Sequence, residues 1–314
     1  MLSCFDGIST GRLALERAGI PVRHYFSFEI DKWAIQTAQK NYPDTIQLGD
    51  VLEWDTWEFP RIDLLIGGSP CQGFSNVGAG LNFDDPRSAL FFTFVKILET
   101  IRPKYFLLEN VKMKREWRDI ITECMGVDPI LINSSLVSAQ NRERYYWTNI
   151  KGITQPEDKG LVLQDILEDG EADRDKSYAI DANYYKGGSL RLYTEKRRRQ
   201  IIHLPSDPIH KSEKRLMVMV GHADIKGHDS VKRVYSHASK SPTLTGMGGG
   251  HQQPKVAIDG EHWRKLTPIE CERLQTFPDN YTAGVSNTQR YKQLGNSWTV
   301  DVIAHIFSFL TRRK

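Results

Sequence analysis

The sequence of 314 residues, 39% hydrophobic and 26% charged, is long enough for one large domain or two modest ones. That balance excludes a collagen, a long disordered tail and a disulfide mini-scaffold, and no run of 18 apolar residues exists to span a membrane. Residues 1–6 lack both a basic start and an apolar stretch, so no secretory signal is expected. Four cysteines (Cys4, Cys71, Cys124, Cys271) include no Cys-x-x-Cys pair, which points to a reducing compartment and away from a structural zinc. The net charge of +3 is unevenly spread: residues 186–240 carry thirteen Lys or Arg against five Asp or Glu, and the rest sums to −5. A basic stretch on a mildly acidic remainder suggests a polyanionic partner, although a solvated basic face has the same composition.

In chain order, residues 2–5, 25–29, 64–66 and 105–109 read as buried strands. Between them 11–18, 32–41 and 89–101 place apolar residues at three- and four-residue spacing, as amphipathic helices do. Gly19-Ile20-Pro21 and Asn41-Tyr42-Pro43 look like helix ends. The alternation predicts parallel strands covered by helices, with ligands at the strands' carboxyl ends. Residues 130–132 and 144–150 supply the last strands. From 151 to 262 long apolar runs are few and glycines cluster, at Gly187-Gly188 and from Gly246 to Gly250. Pattern returns near Trp263, and 300–310 reads as an apolar helix. The expected organisation is a large α/β domain, 1–154 and 261–314, interrupted by a smaller basic insert, 155–260.

The turn Phe5-Asp6-Gly7-Ile8-Ser9-Thr10-Gly11 follows a strand and opens a helix, where free N–H groups and glycine let a ligand approach. Glu29 ends the next strand, where a carboxylate can accept ribose hydroxyls; Asp50 ends the third and can meet an adenine amino group. Each alone also serves as a helix cap or a surface acid. Together, at three successive strand ends, they point to an adenosine-containing cofactor. Cys71 follows a proline on a glycine-flanked loop, Gly67-Gly68-Ser69-Pro70-Cys71-Gln72-Gly73, and is placed to be a nucleophile. A thiol of ordinary pKa is only about 3% thiolate at pH 7, so such a site must activate it. The other three cysteines fit the role of small buried hydrophobes. Glu109 closes a strand of four apolar residues and either caps the next turn of chain or sits desolvated in the cleft. Arg142 and Arg144 stand two apart on an extended segment, suited to a phosphate or a carbonyl oxygen, or to an exposed edge.

Taken together, these segments resemble the DNA cytosine-5 methyltransferase family. The resemblance rests on Phe5 to Gly11, Ser69-Pro70-Cys71-Gln72, Glu109-Asn110-Val111, Gln140 to Arg144, Arg264 to Cys271 and Gln293-Leu294-Gly295-Asn296-Ser297. It implies a Rossmann-like S-adenosylmethionine-dependent methyltransferase sheet with an inserted target-recognition domain. It implies S-adenosylmethionine as donor, S-adenosylhomocysteine as product and no metal. Cys71 would add to carbon 6 of a flipped cytosine, Glu109 would hold N3 and the exocyclic amine, and Arg144 would grip O2. Arg142 would support the base or its phosphate.

For the cofactor the resemblance implies Phe5 and Val51 about the adenine, Glu29 at the ribose and Asp50 at the amino group. Asp6, Gly7, Ile8, Ser9 and Thr10 would lie at the methionine end, with Ile30, Pro70, Leu90, Asn296, Ser297 and Trp298 completing the pocket. The loop 72–87, with Gln72, Ser75 and Arg87, would close over the flipped base. In the insert, Lys196, Arg197, Arg198 and Arg199, with Lys211, Lys214 and Arg215, are candidate phosphate contacts. Ser241-Pro242-Thr243-Leu244-Thr245-Gly246 matches a family segment, so Thr245 and Gly246 would touch the backbone near the flipped nucleotide.

The turn Phe-Asp-Gly-Ile-Ser-Thr-Gly is similar to that of the animal de novo enzymes, while Asn296 is the bacterial choice. With no regulatory extension, the expectation is a bacterial or phage enzyme: a cytoplasmic, nucleoid-associated monomer acting on double-stranded DNA, with a restriction endonuclease as a candidate partner. Four readings compete. A tRNA-directed branch carries Cys-Phe-Thr in its insert, which 151–262 lacks. A non-catalytic relative would be expected to lose Cys71, Glu109 or Arg144. A Rossmann oxidoreductase leaves those three residues unexplained, and a donor of a larger group than methyl is weakly excluded.

Overall fold

The computed structural model describes residues 1–68, 86–186, 193, 196–204, 219–222, 233–236, 255–257 and 262–311. They fall into two compact units, Met1–Leu167 with Arg174–Gln200 and Leu266–Lys314, and Glu168–Asp173 with Ile201–Lys265. In the larger unit seven strands, β1 (Leu2–Cys4), β2 (Phe26–Phe28), β3 (Ile46–Gly49), β4 (Leu64–Gly67), β5 (Tyr105–Val111), β6 (Ile130–Asn133) and β7 (Glu143–Thr148), form one sheet. Its order is β3-β2-β1-β4-β5-β7-β6. Helices α1 (Thr10–Arg17), α2 (Lys32–Asn41), α3 (Pro86–Ile101) and α4 (Arg115–Met125) belong to the same unit, as do α5 (Pro268–Leu274), α6 (Asn287–Asn296) and α7 (Val300–Thr311).

The strands from β3 through β5 pair in parallel, as the alternation predicts. β7 departs from that expectation and runs antiparallel to β5 and β6. The link from β6 to β7 explains it: residues 134–142 hold one 3-10 turn, Ser134–Leu136, and a parallel crossover needs a dozen residues or more. α4 is a second departure, since no element was expected at 115–125. Ile121 and Met125 are its buried residues, and Gly126, at φ 64°, takes the left-handed conformation that ends it.

Leu2, Cys4, Leu65, Leu108, Phe91, Phe94 and Trp147 are buried together in the core around the strands. Because β1 pairs with β2 on one side and β4 on the other, chain order reverses there, where doubly wound sheets bind ligands. α7 packs on α1, with Arg17 2.5 Å from Asp301, and Tyr281 donates to the Ile8 carbonyl at 2.7 Å. The C-terminal segment thus buttresses the first strand–helix turn.

Residues 174–200, part of the expected insert, pack with the larger unit. Ser177 donates its N–H to Ala139, and Lys176 reaches the carbonyls of Ser135, Ser138 and Leu161. In the smaller unit β8 (Ile201–Leu204) pairs antiparallel with β12 (His262–Lys265). β10 (Arg233–Ser236) lies between β9 (Met219–His222), antiparallel, and β11 (Lys255–Ala257), parallel.

Candidate active site

The segments that follow β1, β2, β3 and β4, and the end of β5, surround a cavity of about 470 Å³. That is ample for a nucleoside-sized ligand, since such pockets run from about 300 to 1,000 Å³. The turn after β1 is left-handed at Phe5 (φ 58°), Gly7 (φ 62°) and Ser9 (φ 61°). For Phe5 and Ser9 that conformation costs on the order of 1–3 kcal/mol each and needs support from the surroundings. Asp6 supplies it: its buried carboxylate accepts from Ser9 Oγ at 2.8 Å, from Ser27 Oγ at 3.1 Å and from the Tyr25 hydroxyl. Burial, and then the Asp6 charge, push the Tyr25 phenol well above its usual pKa, so it remains a donor.

Glu29 closes the turn from the other side. Oε2 accepts from Gly7 N at 2.8 Å, and Oε1 from Ile30 N and Asp31 N, both at 2.8 Å. A carboxylate has about four acceptor positions, so roughly one remains, on Oε2, for a ligand hydroxyl. Burial raises the Glu29 pKa, with the three backbone N–H groups opposing. Asp50 both lines the cavity and caps the 3-10 turn Val51–Thr56, accepting from Leu52 N at 3.0 Å.

At the other end of the cavity stands an ion pair. In the β5–β7 ladder Glu109 lies opposite Tyr146 and Arg144 opposite Val111, which makes Glu109 and Arg144 diagonal neighbours on one face. Arg144 Nε lies 3.1 Å from Glu109 Oε1, with both side chains largely removed from solvent. Gly68 abuts the same place: an added Cβ would be 3.3 Å from Glu109 Oε2 and 2.8 Å from Trp298 Nε1. Arg142 is 5% exposed, and its terminal nitrogens donate to the carbonyls of Ile180, Gly295 and Ser297 at 3.0, 3.1 and 2.9 Å. Burial, then the neighbouring Arg144, lower its pKa to about 9 against the pull of Glu109, so it stays charged at neutral pH.

Of the residues predicted from sequence, Phe5, Asp6, Gly7, Ile8, Thr10, Glu29, Ile30, Asp50 and Val51 line this cavity. So do Leu90, Glu109, Arg142, Arg144, Asn296, Ser297 and Trp298. Ser9 does not; it is wholly buried and turned to Asp6. Lys196, Arg197 and Arg198 are exposed and Arg199 half-buried, away from the cavity lining. Pro70, Cys71, Gln72, Ser75, Lys211, Lys214, Arg215, Thr245 and Gly246, and the Arg87 side chain, lie outside the described residues. Cys4 is buried with its thiol pKa raised by burial, Cys124 is raised for the same reason, and none of Cys4, Cys124 and Cys271 reaches the cavity. Among the described residues no His, Cys, Asp or Glu cluster could hold a metal ion.

Lys292 and Gln293 line the wall without having been expected there. Lys292 pairs with Asp31 at 2.6 Å. Gln293 Oε1 accepts from Thr37, while Gln293 Nε2 and Arg142 Nε are buried with no hydrogen-bond partner. Both donors are shielded from solvent, and Arg142 is held by backbone carbonyls through its other nitrogens. With acidic groups at one end, apolar Phe5, Val51 and Leu90 between, and polar groups beyond, the wall fits S-adenosylmethionine. Gln293 was legible only as part of the Gln-Leu-Gly-Asn-Ser run, with no signal separating it from that run's structural residues.

The chain matches known proteins along almost its whole length. The family model for C-5 cytosine-specific DNA methylase matches residues 1–312. An orphan methyltransferase, M.SPBetaI of Bacillus phage SPbeta, is 31% identical, with 99% of this chain and 97% of that protein covered. The type II methyltransferase M.NlaX of Neisseria lactamica is 32% identical, covering 98% and 94%. Among solved structures, the methyltransferase EhMeth of Entamoeba histolytica superposes with a TM-score of 0.64 at 17% identity, covering 98% and 96%, and shares the fold.

Proposed function

The chain belongs to the C-5 cytosine-specific DNA methylase family and is a DNA cytosine methyltransferase, and from that premise we propose how its residues divide the reaction. The target is a cytosine in duplex DNA at a specific sequence. Its ring lies inside the stack, so the nucleotide is flipped out at a cost of a few kcal/mol. Bound S-adenosylmethionine, the family's donor, supplies an electrophilic methyl group on a sulfonium sulfur. Phe5 and Val51 enclose its adenine, Asp50 accepts from the amino group, and Glu29 uses its remaining acceptor position for a ribose hydroxyl. Gly7, Ile8 and Thr10, with Asn296, Ser297 and Trp298, surround the methionine end.

Carbon 5 of cytosine is a poor nucleophile until electron density is pushed onto it. Addition of the Cys71 thiolate to carbon 6 does this, giving carbon 5 enamine character. Glu109 holds N3 and the exocyclic amine, and Arg144 holds O2, so charge entering the ring is met by fixed groups. After methylation, solvent water takes the carbon 5 proton, the electron pair of that bond re-forms the 5,6 double bond, and the sulfur–carbon 6 pair leaves with sulfur, releasing Cys71 as thiolate. What supports this reading above all is the Glu109–Arg144 pair, set in one cavity with Glu29 and Asp50 and beside Gly68, three residues before Cys71.

Exposed Lys196, Arg197 and Arg198 bind phosphate, and Gln72, Ser75 and Arg87 contact the DNA at the flipped base. Residues 155–260, including Thr245 and Gly246, act as the target-recognition domain. The enzyme works as a monomer on nucleoid DNA in a bacterial or phage-infected cell. One relative above is described as orphan and the other as type II, so a cognate endonuclease is the partner to seek.

The test is methyl transfer to mixed-sequence duplex DNA, read at base resolution, with Cys71→Ser beside the wild type. Methylated cytosines sharing one context, absent with the variant, are expected. Near-normal turnover by Cys71→Ser would overturn the mechanism.

A further inference from the structure

The run Gln140-Asn141-Arg142-Glu143-Arg144 sends alternate side chains to one side, yet only its last member meets Glu109. Gln140 is fully buried: Oε1 accepts from Ile180 N at 3.0 Å, and Nε2 donates to Leu274 O and Gln275 Oε1, both at 3.2 Å. Arg142 takes the carbonyl of the same Ile180 and those of Gly295 and Ser297, at the end of α6. There the chains meet backbone to backbone, since a Cβ on Gly295 would fall 2.2 Å from the carbonyl carbon of Asp181. Gln275 Nε2 holds the same turn from its other side, donating to Leu294 O at 2.8 Å and Ser297 O at 3.1 Å. Asn296, Ser297 and Trp298, which this clamp fixes, line the cavity.

A phosphate or base contact requires guanidinium N–H groups that face a ligand. Both terminal nitrogens of Arg142 face backbone carbonyls, and its Nε is shielded from solvent. We propose that Arg142 is a positioning residue for the methyl-donor side of the site, tying Asn296–Trp298 to the strand that carries Arg144. It contacts neither the flipped base nor its phosphate. This rests on the cofactor reading of the cavity given above.

The experiment compares Arg142→Lys, Arg142→Met and Gln275→Met with the wild type. It measures S-adenosylhomocysteine binding by calorimetry, duplex DNA binding by anisotropy, and single-turnover methyl transfer. Arg142→Met is expected to weaken S-adenosylhomocysteine by about tenfold or more, as a wall displaced by a fraction of an ångström would. DNA affinity should stay within about twofold, because no phosphate contact is lost. Arg142→Lys, which can still reach one carbonyl, should recover part of the loss. Gln275→Met, at a residue with no exposure to DNA, should weaken the same ligand in the same direction. Weakened DNA binding with unchanged S-adenosylhomocysteine affinity would overturn the proposal and make Arg142 a DNA contact. If Arg142→Met fails to fold, Arg142→Lys and Gln275→Met decide the question by the same split. A wild type that binds no S-adenosylhomocysteine would instead overturn the cofactor reading itself, whereas tight binding left unchanged by every variant would overturn only this inference.

Discussion

Substitutions at two adjacent glycines are expected to separate stability from catalysis. Gly67 ends β4, and a Cβ there would lie 2.8 Å from two carbons of the Phe94 ring, inside the core. A Cβ on Gly68 would lie 2.8 Å from Trp298 Nε1 and 3.3 Å from Glu109 Oε2, inside the site. Consecutive residues of an extended chain point to opposite faces, which explains the contrast. Each methyl group overpacks its surroundings, at a cost of about 1–3 kcal/mol. In Gly67→Ala that cost falls on folding: the melting temperature drops by about 2–6 °C, with little change in turnover per folded molecule. In Gly68→Ala the indole must move by roughly half an ångström or more to restore a normal contact, and Glu109 is touched as well. Misplacement on that scale costs on the order of 10–100-fold in rate. The assay is single-turnover transfer of labelled methyl to duplex DNA, normalised to folded protein, beside thermal melts of both variants. Gly68→Ala with wild-type single-turnover rate would refute the placing of Trp298 and Glu109 at the reaction centre. Equal rate losses in both variants would show that the effect is not local.

The raised pKa of Glu29 predicts a pH dependence. Ribose hydroxyls need the ionised carboxylate, so S-adenosylhomocysteine affinity should fall as pH drops, with a midpoint above the usual glutamate value; Glu29→Gln should bind weakly at all pH, and a wild-type profile still flat at the usual glutamate pKa of about 4.3 would exclude this role. In the empty protein the sign is opposite, since a carboxyl whose folded pKa is raised contributes stability below its unfolded pKa and loses it as pH rises through the folded one. Replacing Lys196, Arg197 and Arg198 with alanine should reduce the slope of log K for DNA against log salt by about 0.9 per charge, roughly 2.7 in all, leaving the methylated context unchanged. An unchanged slope would make the run a solvated face, and an altered context would make it a base reader.

Much of the site was legible because strand ends announce themselves locally. Phe5, Glu29 and Glu109 stand at the ends of short, mostly apolar runs, while Asp50 follows the mixed stretch Ile46-Gln47-Leu48-Gly49 and is marked by its glycine. In a parallel sheet such positions converge on one edge. What escaped depends on distant atoms. Nothing near Arg142 distinguishes it from Arg144, because its carbonyl partners belong to residues 180, 295 and 297. Ser9 sits in the cofactor-type turn, but at φ 61° its hydroxyl faces inward to Asp6. α4 did leave a signal, with Trp117, Ile121 and Met125 four apart and Gly126 after them. The antiparallel β7 was readable from the nine residues joining it to β6, a length too short for a crossover.

Two segments far apart in sequence build one cavity, and the stretch 201–265 of the smaller unit begins and ends on paired strands. Phe5 to Ile8 and Thr10 form one wall; Lys292, Gln293 and Gly295 to Trp298, nearly three hundred residues later, form another. The turn that carries the first wall depends on the C-terminal segment, since Tyr281 holds the Ile8 carbonyl and α7 packs on α1. Removing residues 266–311 would therefore dismantle the cavity rather than trim it. Residues 201–265 are attached differently. The chain enters that unit along β8 and leaves along β12, and these pair in register from Ile201 with Lys265 to Leu204 with His262. An inserted unit whose entry and exit lie side by side can change internally without moving the chain on either side of it.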